Sequence, residues 1–343
     1  MKKDLISANN FARISNHVFV EEVTLIDFET LKNDNLIVLQ KDSNYVCYIN
    51  LKIELKENDI IFCKTDYIDL LFKYLKTIKN LKNIKLITSQ SDLKVDKRLF
   101  QKKPSCVSKW YSTNVVHKDN KLISLPLGLA NEFSEKNLNH LDFKKFSIQN
   151  EEIQKEIYIY SNFNINTKYS FRKRLLSSII NNKKFKIRNN DLNLNEYRQD
   201  LNIYKYVLCP PGNGIDTHRI WEAIYSNSIP IVFREYYLDY FSKVPVIVLD
   251  SIDDLENFDL NKNVKKYDSK ALFINWWIDL IRSESINSEN KKNILIKKNQ
   301  LFLYLKIKFV KTKLFKIIKI LRTIYIKIDR KLQVGNKDVQ KIK

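Results

Sequence analysis

Glycine is almost missing from this chain: its 343 residues hold four glycines, six prolines, four cysteines, four histidines and one methionine. A sequence this poor in glycine keeps one where the backbone needs φ > 0 or where something approaches closely. Cys47, Cys63, Cys106 and Cys209 show no paired spacing, which argues against a disulfide framework and fits a reducing compartment. His17, His117, His140 and His218 are scattered, so no His/Cys cluster offers a zinc site. There is no Walker A Gly-Lys-Ser/Thr, no Gly-x-Gly-x-x-Gly, and no Asp-x-Asp pair to hold a divalent metal on a phosphate. No metal is expected. Uninterrupted apolar runs are short, none reaching the roughly 18 to 20 residues that cross a bilayer. The opening Met1-Lys2-Lys3-Asp4-Leu5 stretch lacks the apolar core of a signal peptide, so a cytoplasmic location is expected.

What is present is enough for real cores. Hydrophobic residues make up 44% and aromatics 12%, which sets the chain apart from a disordered protein. The length suits two α/β domains of ordinary size and an extension. The formal charge of +21 is unevenly spread. Residues 291–343 hold 17 Lys and Arg against two Asp, a balance of +15, which leaves +6 for the other 290 residues. The chain is also rich in Lys, Asn and Ile, a bias that AT-rich coding produces without functional pressure. Basic charge is therefore a weak argument for nucleic acid here.

The organising stretch runs from Tyr204 to Phe233. Gly212 and Gly214 stand two residues apart behind Pro210 and Pro211. Ahead of them Tyr206-Val207-Leu208-Cys209 reads as a buried strand. Beyond them Asp216 or Thr217 can cap a helix through Tyr225, with Ile220, Ala223 and Ile224 along one face. Ile229 to Phe233 reads as the next strand. Strand, glycine loop, helix and strand make a βαβ unit whose loop offers backbone N–H groups at a positive helix end. Such a turn also occurs without any ligand. Asp216, Arg219 and Glu222 recur at intervals of three near one helix face. Arg219 supplies a planar, permanently charged fork for phosphate oxygens, and Glu222 an acceptor for sugar or ribose hydroxyls. An Arg–Glu pair at this spacing can equally be a surface ion pair.

The run Cys209-Pro210-Pro211-Gly212-Asn213-Gly214-Ile215-Asp216-Thr217-His218-Arg219-Ile220-Trp221-Glu222-Ala223, followed by Ser228-Ile229-Pro230-Ile231-Val232, resembles the nucleotide-sugar motif of exostosin-like glycosyltransferases. Its later part is similar to the Glu-Ala…Gly-x-Pro-Val segment of the wider GT-B superfamily. The resemblance implies that Glu222 binds the donor ribose, that Arg219 binds its diphosphate, and that the amides of Asn213 and Gly214 lie against the phosphates. His218 and Asp216 fall inside the same donor motif. Where many relatives carry glycine before the last strand, this chain has Asn227-Ser228, and Asn can supply the altered helix C-cap.

In chain order, residues 1–150 read as a first Rossmann-like domain, for the acceptor. Strands are expected at Leu36–Leu39, Tyr45–Ile49, Ile60–Cys63 and Ile84–Thr88, with a helix from Asp66 to Ile78 between the last two. Asp92 follows a strand end, where open α/β sheets bind ligands. His117 and Glu132 follow in the segments around Trp110-Tyr111 and Leu122–Glu132, the latter resembling a Pro-Leu-Gly-Leu stretch of the same relatives. Asp92, His117 and Glu132 are the candidate catalytic bases, Asp92 first. A polar stretch from Leu138 to Ile153 is the expected linker.

Residues 151–265 read as a second Rossmann-like domain, for the nucleotide sugar. It opens with a strand at Ile157–Tyr160 and a helix carrying Arg172, a second candidate phosphate contact. Phe185–Ile187 and Val246–Asp250 add strands, Asn193–Leu201 a helix and Ile252–Phe258 a short helix. The implied architecture is GT-B: two Rossmann-like domains facing a cleft. Residues 266–343 form a helical extension, with an apolar-faced helix over Ser269–Ser283 and then a basic amphipathic tail. The tail is suited to an anionic membrane surface through residues 291–331, or to packing on the body or on a second chain.

The expected activity is transfer of a sugar from a nucleotide-diphosphate sugar to a glycan or lipid-linked acceptor in surface polysaccharide synthesis. The transfer is expected to be metal-independent and inverting, without a cofactor, on the inner face of the cytoplasmic membrane. A non-catalytic nucleotide- or glycan-binding module would keep Arg219 and Glu222 but need no base. A nucleic-acid-binding protein would use the basic tail, the less favoured alternative.

Overall fold

A computed structural model of the chain describes residues 5–144, 146, 155–188, 192–236, 238–282 and 291–314. The first sheet has seven strands, β1 (His17–Thr24), β2 (Leu36–Lys41), β3 (Tyr45–Asn50), β5 (Ile60–Lys64), β6 (Ile84–Ser89), β7 (Val107–Ser112) and β8 (Leu122–Ser124), with β4 (Lys52–Lys56) outside it. They lie in the order β2-β3-β1-β5-β6-β7-β8. β1, β5, β6, β7 and β8 run parallel, and β3 is antiparallel to both β1 and β2. β5 and β6 are buried almost throughout because both faces are covered, as in parallel sheets generally, with Lys85, Thr88 and Ser89 of β6 buried beside its apolar residues. The expected strands and the helix between them are present, the helix as a 3-10 turn leading into Ile68–Leu75. β1, which joins the hairpin to the parallel strands, was not foreseen. Glu21 and Glu22 interrupt its apolar pattern, yet Glu21 is fully buried, held by Arg13 and the Tyr48 hydroxyl.

The helices are α1 (Ala8–Arg13), α2 (Leu25–Leu31), α3 (Ile68–Leu75), α4 (Lys97–Phe100), α5 (Tyr169–Ile179), α6 (Leu194–Ile203), α7 (His218–Tyr225) and α8 (Ile274–Arg282). The second sheet is wholly parallel: β9 (Glu156–Ser161), β10 (Phe185–Ile187), β11 (Tyr204–Leu208), β12 (Ile229–Phe233) and β13 (Ile247–Leu249), ordered β10-β9-β11-β12-β13. Numbered along the chain this is 2-1-3-4-5, a doubly wound order that reverses between β9 and β11. The expected helix over 252–258 is only a 3-10 turn at Asp253–Leu255, and that over 269–283 is a 3-10 turn followed by α8.

Strand alternation sorts the second sheet's residues to its two faces. Ile159, Tyr206, Leu208, Ile231 and Phe233 pack with Leu175 and Ile179 of α5. Tyr160, Val207 and Val232 face the other way, into a core shared with Ile60, Phe62 and Ile87 of the first sheet. Ile220, Trp221, Ala223, Ile224 and Tyr225 of α7 fill that shared core, as do Ile274, Trp277 and Ile281 of α8. Both sheets accordingly belong to one compact unit, Met1–Ile294. Of the expected linker, 145 and 147–153 lie outside the described residues, while Leu138 and Phe143 are buried in the shared core around a 3-10 turn at His140–Phe143.

The second unit is Leu295–Lys343. The strand β14 (Lys291–Leu295), paired with β4, leads into it. Residues 298–314 are helical, and 315–331 of the expected membrane segment lie outside the described residues. Among the described residues no helix is long and apolar enough to cross a membrane.

Candidate functional site

The second sheet reverses its winding between β9 and β11, and two loops leave the carboxyl ends of those strands side by side. One carries Asn162 and Asn164, the other runs from Cys209 to Thr217. Arg172, in the first turns of α5, reaches across both. Its Nε donates to the Pro211 carbonyl at 2.9 Å, Nη2 to that of Pro210 at 3.2 Å, and Nη1 to that of Asn164 at 2.6 Å. The residue is buried, and these three hydrogen-bond partners are all carbonyls. Burial, then the neighbouring Arg219, pull its pKa down to about 10, so it remains a cation at neutral pH. Arg219 donates through Nη2 to the backbone and side-chain oxygens of Asn162, at 2.7 and 3.2 Å. Its Nε is buried with no partner among the described residues. The Thr217 hydroxyl, at the N-cap of α7, makes no cap bond and is likewise buried and unpaired. Two guanidinium groups and a free hydroxyl thus gather at one strand switch point; Glu222 acts on Arg219 through its charge, but neither guanidinium makes an ion pair among the described residues.

The other motif residues turn toward the first sheet. Asp216 is 3% exposed; its carboxylate accepts from the Leu127 amide at 2.6 Å, from the Trp221 indole and from the Tyr240 hydroxyl. Burial raises its pKa to about 6, and those donors, Tyr240 foremost, hold it from going higher. Glu222 is also 3% exposed, with one oxygen taking the Leu138 amide at 3.1 Å and the other the Tyr197 hydroxyl at 2.8 Å. Burial raises its pKa, opposed by Tyr197 and Arg219. Asp216, Arg219 and Glu222 therefore do not share one ligand-facing side. The two carboxylates fasten α7 inward and Arg219 alone stays at the strand ends. The two oxygens expected to meet ribose hydroxyls already hold protein donors.

His218 bridges the two sheets. Its Nδ1 lies 2.9 Å from the Gly128 carbonyl, an acceptor only, so Nδ1 carries the proton and Nε2 the lone pair. Burial lowers its pKa, with the Gly128 bond and the Asp92 charge opposing, which keeps the ring neutral at pH 7.

The expectation that glycine marks a positive φ or a close approach holds at Gly128 and Gly214 and fails at Gly212. Neither Gly212 nor Gly214 has φ in the left-handed region; Gly128 does, at +74°. A Cβ on Gly214 would sit 3.1 Å from both Asn114 side-chain atoms and 3.2 Å from Asp92 Oδ1, so this glycine admits the first sheet's loops. A Cβ on Gly212 would meet only ordinary contacts, at 3.6 and 3.8 Å. Asn114 also takes loop amides that an anion could have used: its Oδ1 accepts from Ile215 N at 2.8 Å and Asp216 N at 3.1 Å. Asn213 is exposed, one residue before buried Gly214.

Of the three candidate bases, Asp92 is brought to the site, exposed and beside Gly214. His117 packs on the Phe100 ring, 5.4 Å between centroids, next to the Trp110 stack. Glu132 pairs with His140 at 3.3 Å and lines a separate cavity with Arg13 and Asp27. It is Asn114, two residues past β7, that occupies the strand end; His117 lies three residues further on. Asn114 and Tyr197 were missed, and Thr217 was expected only as the helix cap, the position it takes. Asn114 carried a readable signal, since Ser112-Thr113-Asn114 is a polar run directly after an apolar one. Tyr197 carried none, because pairing a helix tyrosine with a glutamate 25 residues on depends on the fold. The chain matches no protein-family model and no curated protein sequence.

Proposed function

We propose that the chain is a glycosyltransferase of the GT-B kind, exostosin-like, taking a nucleotide-diphosphate sugar as donor. The observation that carries this reading is the pair Arg172 and Arg219 at the β9/β11 switch point, flanked by the unpaired Arg219 Nε and Thr217 hydroxyl. Buried donors without partners cost stability until an acceptor meets them, and a diphosphate supplies acceptors of the right charge. In the reaction the bond from the anomeric carbon to the diphosphate breaks while one to an acceptor hydroxyl forms. Charge grows on the departing diphosphate, and fixed cations there lower the barrier. The acceptor's proton passes to a base, for which Asp92, beside Gly214, and the lone pair on His218 Nε2 are the candidates. Glu222 keeps α7 in register through Tyr197 and Leu138, and meets a ribose only by exchanging one of those bonds.

A polysaccharide or lipid-linked acceptor and a place on the inner membrane face accord with the tail. On residues 298–314 Phe302, Leu303, Phe309, Val310 and Leu314 are all exposed, interspersed with Lys306 and Lys313. An exposed apolar face of this size marks a docking surface, and lysines can snorkel from it to anionic headgroups.

A thermal-shift series with UDP, GDP, CDP and ADP tests the donor site. At least one should raise Tm, and Arg219→Ala should abolish the shift while leaving the unliganded Tm within a few degrees. Silence from all four nucleotides would remove the basis of the proposal. Slow release of free sugar from the matching nucleotide sugar would distinguish the enzyme from a non-catalytic module, which binds without turnover.

A further inference from the structure

A second cavity lies in the first sheet's half of the molecule, away from the arginine pair. It has a volume of about 320 Å³ and is walled by α1, the β1–α2 segment and the residues from Ala130 to Glu132, with His140 at its edge. That is the small end of ligand sites, which run from about 300 to 1,000 Å³. It would seat one sugar ring, not a nucleotide. Nine of the twelve lining residues carry polar side chains and none is Phe, Tyr or Trp, which argues against an apolar ligand.

The chemistry is mixed in sign. Asn131 offers an amide, Asp27 a carboxylate and Thr30 a hydroxyl that donates to the Asp27 carbonyl and keeps its lone pairs to accept, while Asn10 is tied to the Leu5 carbonyl, Glu132 to His140 and Arg13 to Glu21. Such a wall can both donate and accept, as vicinal hydroxyls require. Two carboxylates on the wall disfavour an acidic ligand. An independent observation points to an occupant: the Asn131 side-chain Oδ1, unlike its backbone carbonyl, is buried with no hydrogen-bond partner among the described residues. Behind Arg13, Glu21 also has one oxygen unpaired, and the residue is wholly buried.

The cavity is built, not incidental. Its two walls are stitched together where Leu129 N donates to the Ile6 carbonyl at 2.8 Å, and Gly128 is the residue that lets Ile6 come so close. The same strip of chain gives its Leu127 amide to Asp216 and its Gly128 carbonyl to His218. Asn131 lies three positions beyond Gly128, so their Cα atoms are at most roughly 11 Å apart.

We infer that this cavity is a saccharide-binding site for a neutral, hydroxyl-rich ring, held through Asn131, Asp27 and Thr30. Its use as the acceptor subsite rests on the glycosyltransferase reading; sugar binding in itself does not.

The test is ligand-observed saturation-transfer NMR on the full chain, without nucleotide, using methyl glycosides of neutral hexoses, N-acetylhexosamines and hexuronates. A neutral glycoside should bind, and bind roughly tenfold more weakly to Asn131→Leu and to Thr30→Val, the loss of about one hydrogen bond. The nucleotide-induced Tm shift should persist in both variants, which also shows that they fold. No binding by any glycoside, preference for the uronates, or binding untouched in both variants would overturn the assignment. Sugar binding without any nucleotide response would leave this site standing and remove the donor reading instead.

Discussion

Asp216 shows how far one residue's role can depart from its place in a motif. It lies beside the loop expected to grip phosphate, yet its carboxylate is spent on Leu127, Trp221 and Tyr240. With its pKa raised to about 6 against 3.8, the fold binds the proton more tightly than the unfolded chain does. Its contribution to stability is thus most favourable below the unfolded value and is lost as pH rises toward the folded one. Chemical denaturation of wild type and Asp216→Asn should show their stability difference falling between pH 4 and pH 6. The fall should be on the order of 2–3 kcal/mol; a difference that is flat or rises with pH would contradict the burial argument.

The glycines give a sharper contrast at the same scale. Gly128 combines φ +74° with a Cβ position 2.2 Å from the Ile6 carbonyl oxygen, so Gly128→Ala should cost about 3 kcal/mol or more. Gly212→Ala meets neither constraint and should stay within about 1 kcal/mol of wild type. Equal effects in urea melts would show that these local geometries do not govern stability.

Among the elements, α7 was the most legible and β1 the least. Apolar spacing placed α7 to within a residue or two, and Asn227, with φ 55°, ends it in the left-handed conformation that the missing glycine would have supplied. β1 hid because Glu21 sits inside it, and only Arg13 and Tyr48 make that burial tolerable. The helix over 298–314 carries the membrane prediction. Its exposed face holds Phe302, Phe309 and Val310, at 60%, 59% and 62% exposure. The full chain should co-sediment with phosphatidylserine-containing vesicles more than with phosphatidylcholine vesicles, and less as salt rises. A chain ending at Ile294 should stay in the supernatant. Equal sedimentation of the two chains would dispose of the tail as a membrane contact.

Across the whole molecule, the decisive feature is the core that α7 and α8 share with both sheets. Val207 and Val232 of one sheet and Phe62 and Ile87 of the other bury apolar surface in the same cluster. Folding one half alone would leave that surface in water, at about 25 cal/mol for each Å². Urea unfolding of residues 1–294 should therefore be a single transition, coincident by far-UV circular dichroism and by tryptophan fluorescence. Two separated transitions would mean that the sheets are independent domains after all.

The chain's own order of apolar runs, turns and caps settled most strands and helices and singled out the Cys209–Ala223 motif, because those signals are local and each is written within a few residues. Which motif side chains point outward was decided only in three dimensions. Asn114, Leu127, Gly128 and Leu138 come from 80 or more residues away in sequence and claim the loop amides, Asp216, His218 and Glu222. Helical spacing fixes which residues share a side, but the partner that arrives on that side depends on how the sheets pack. That packing leaves Arg172 and Arg219 as the cations at the switch point.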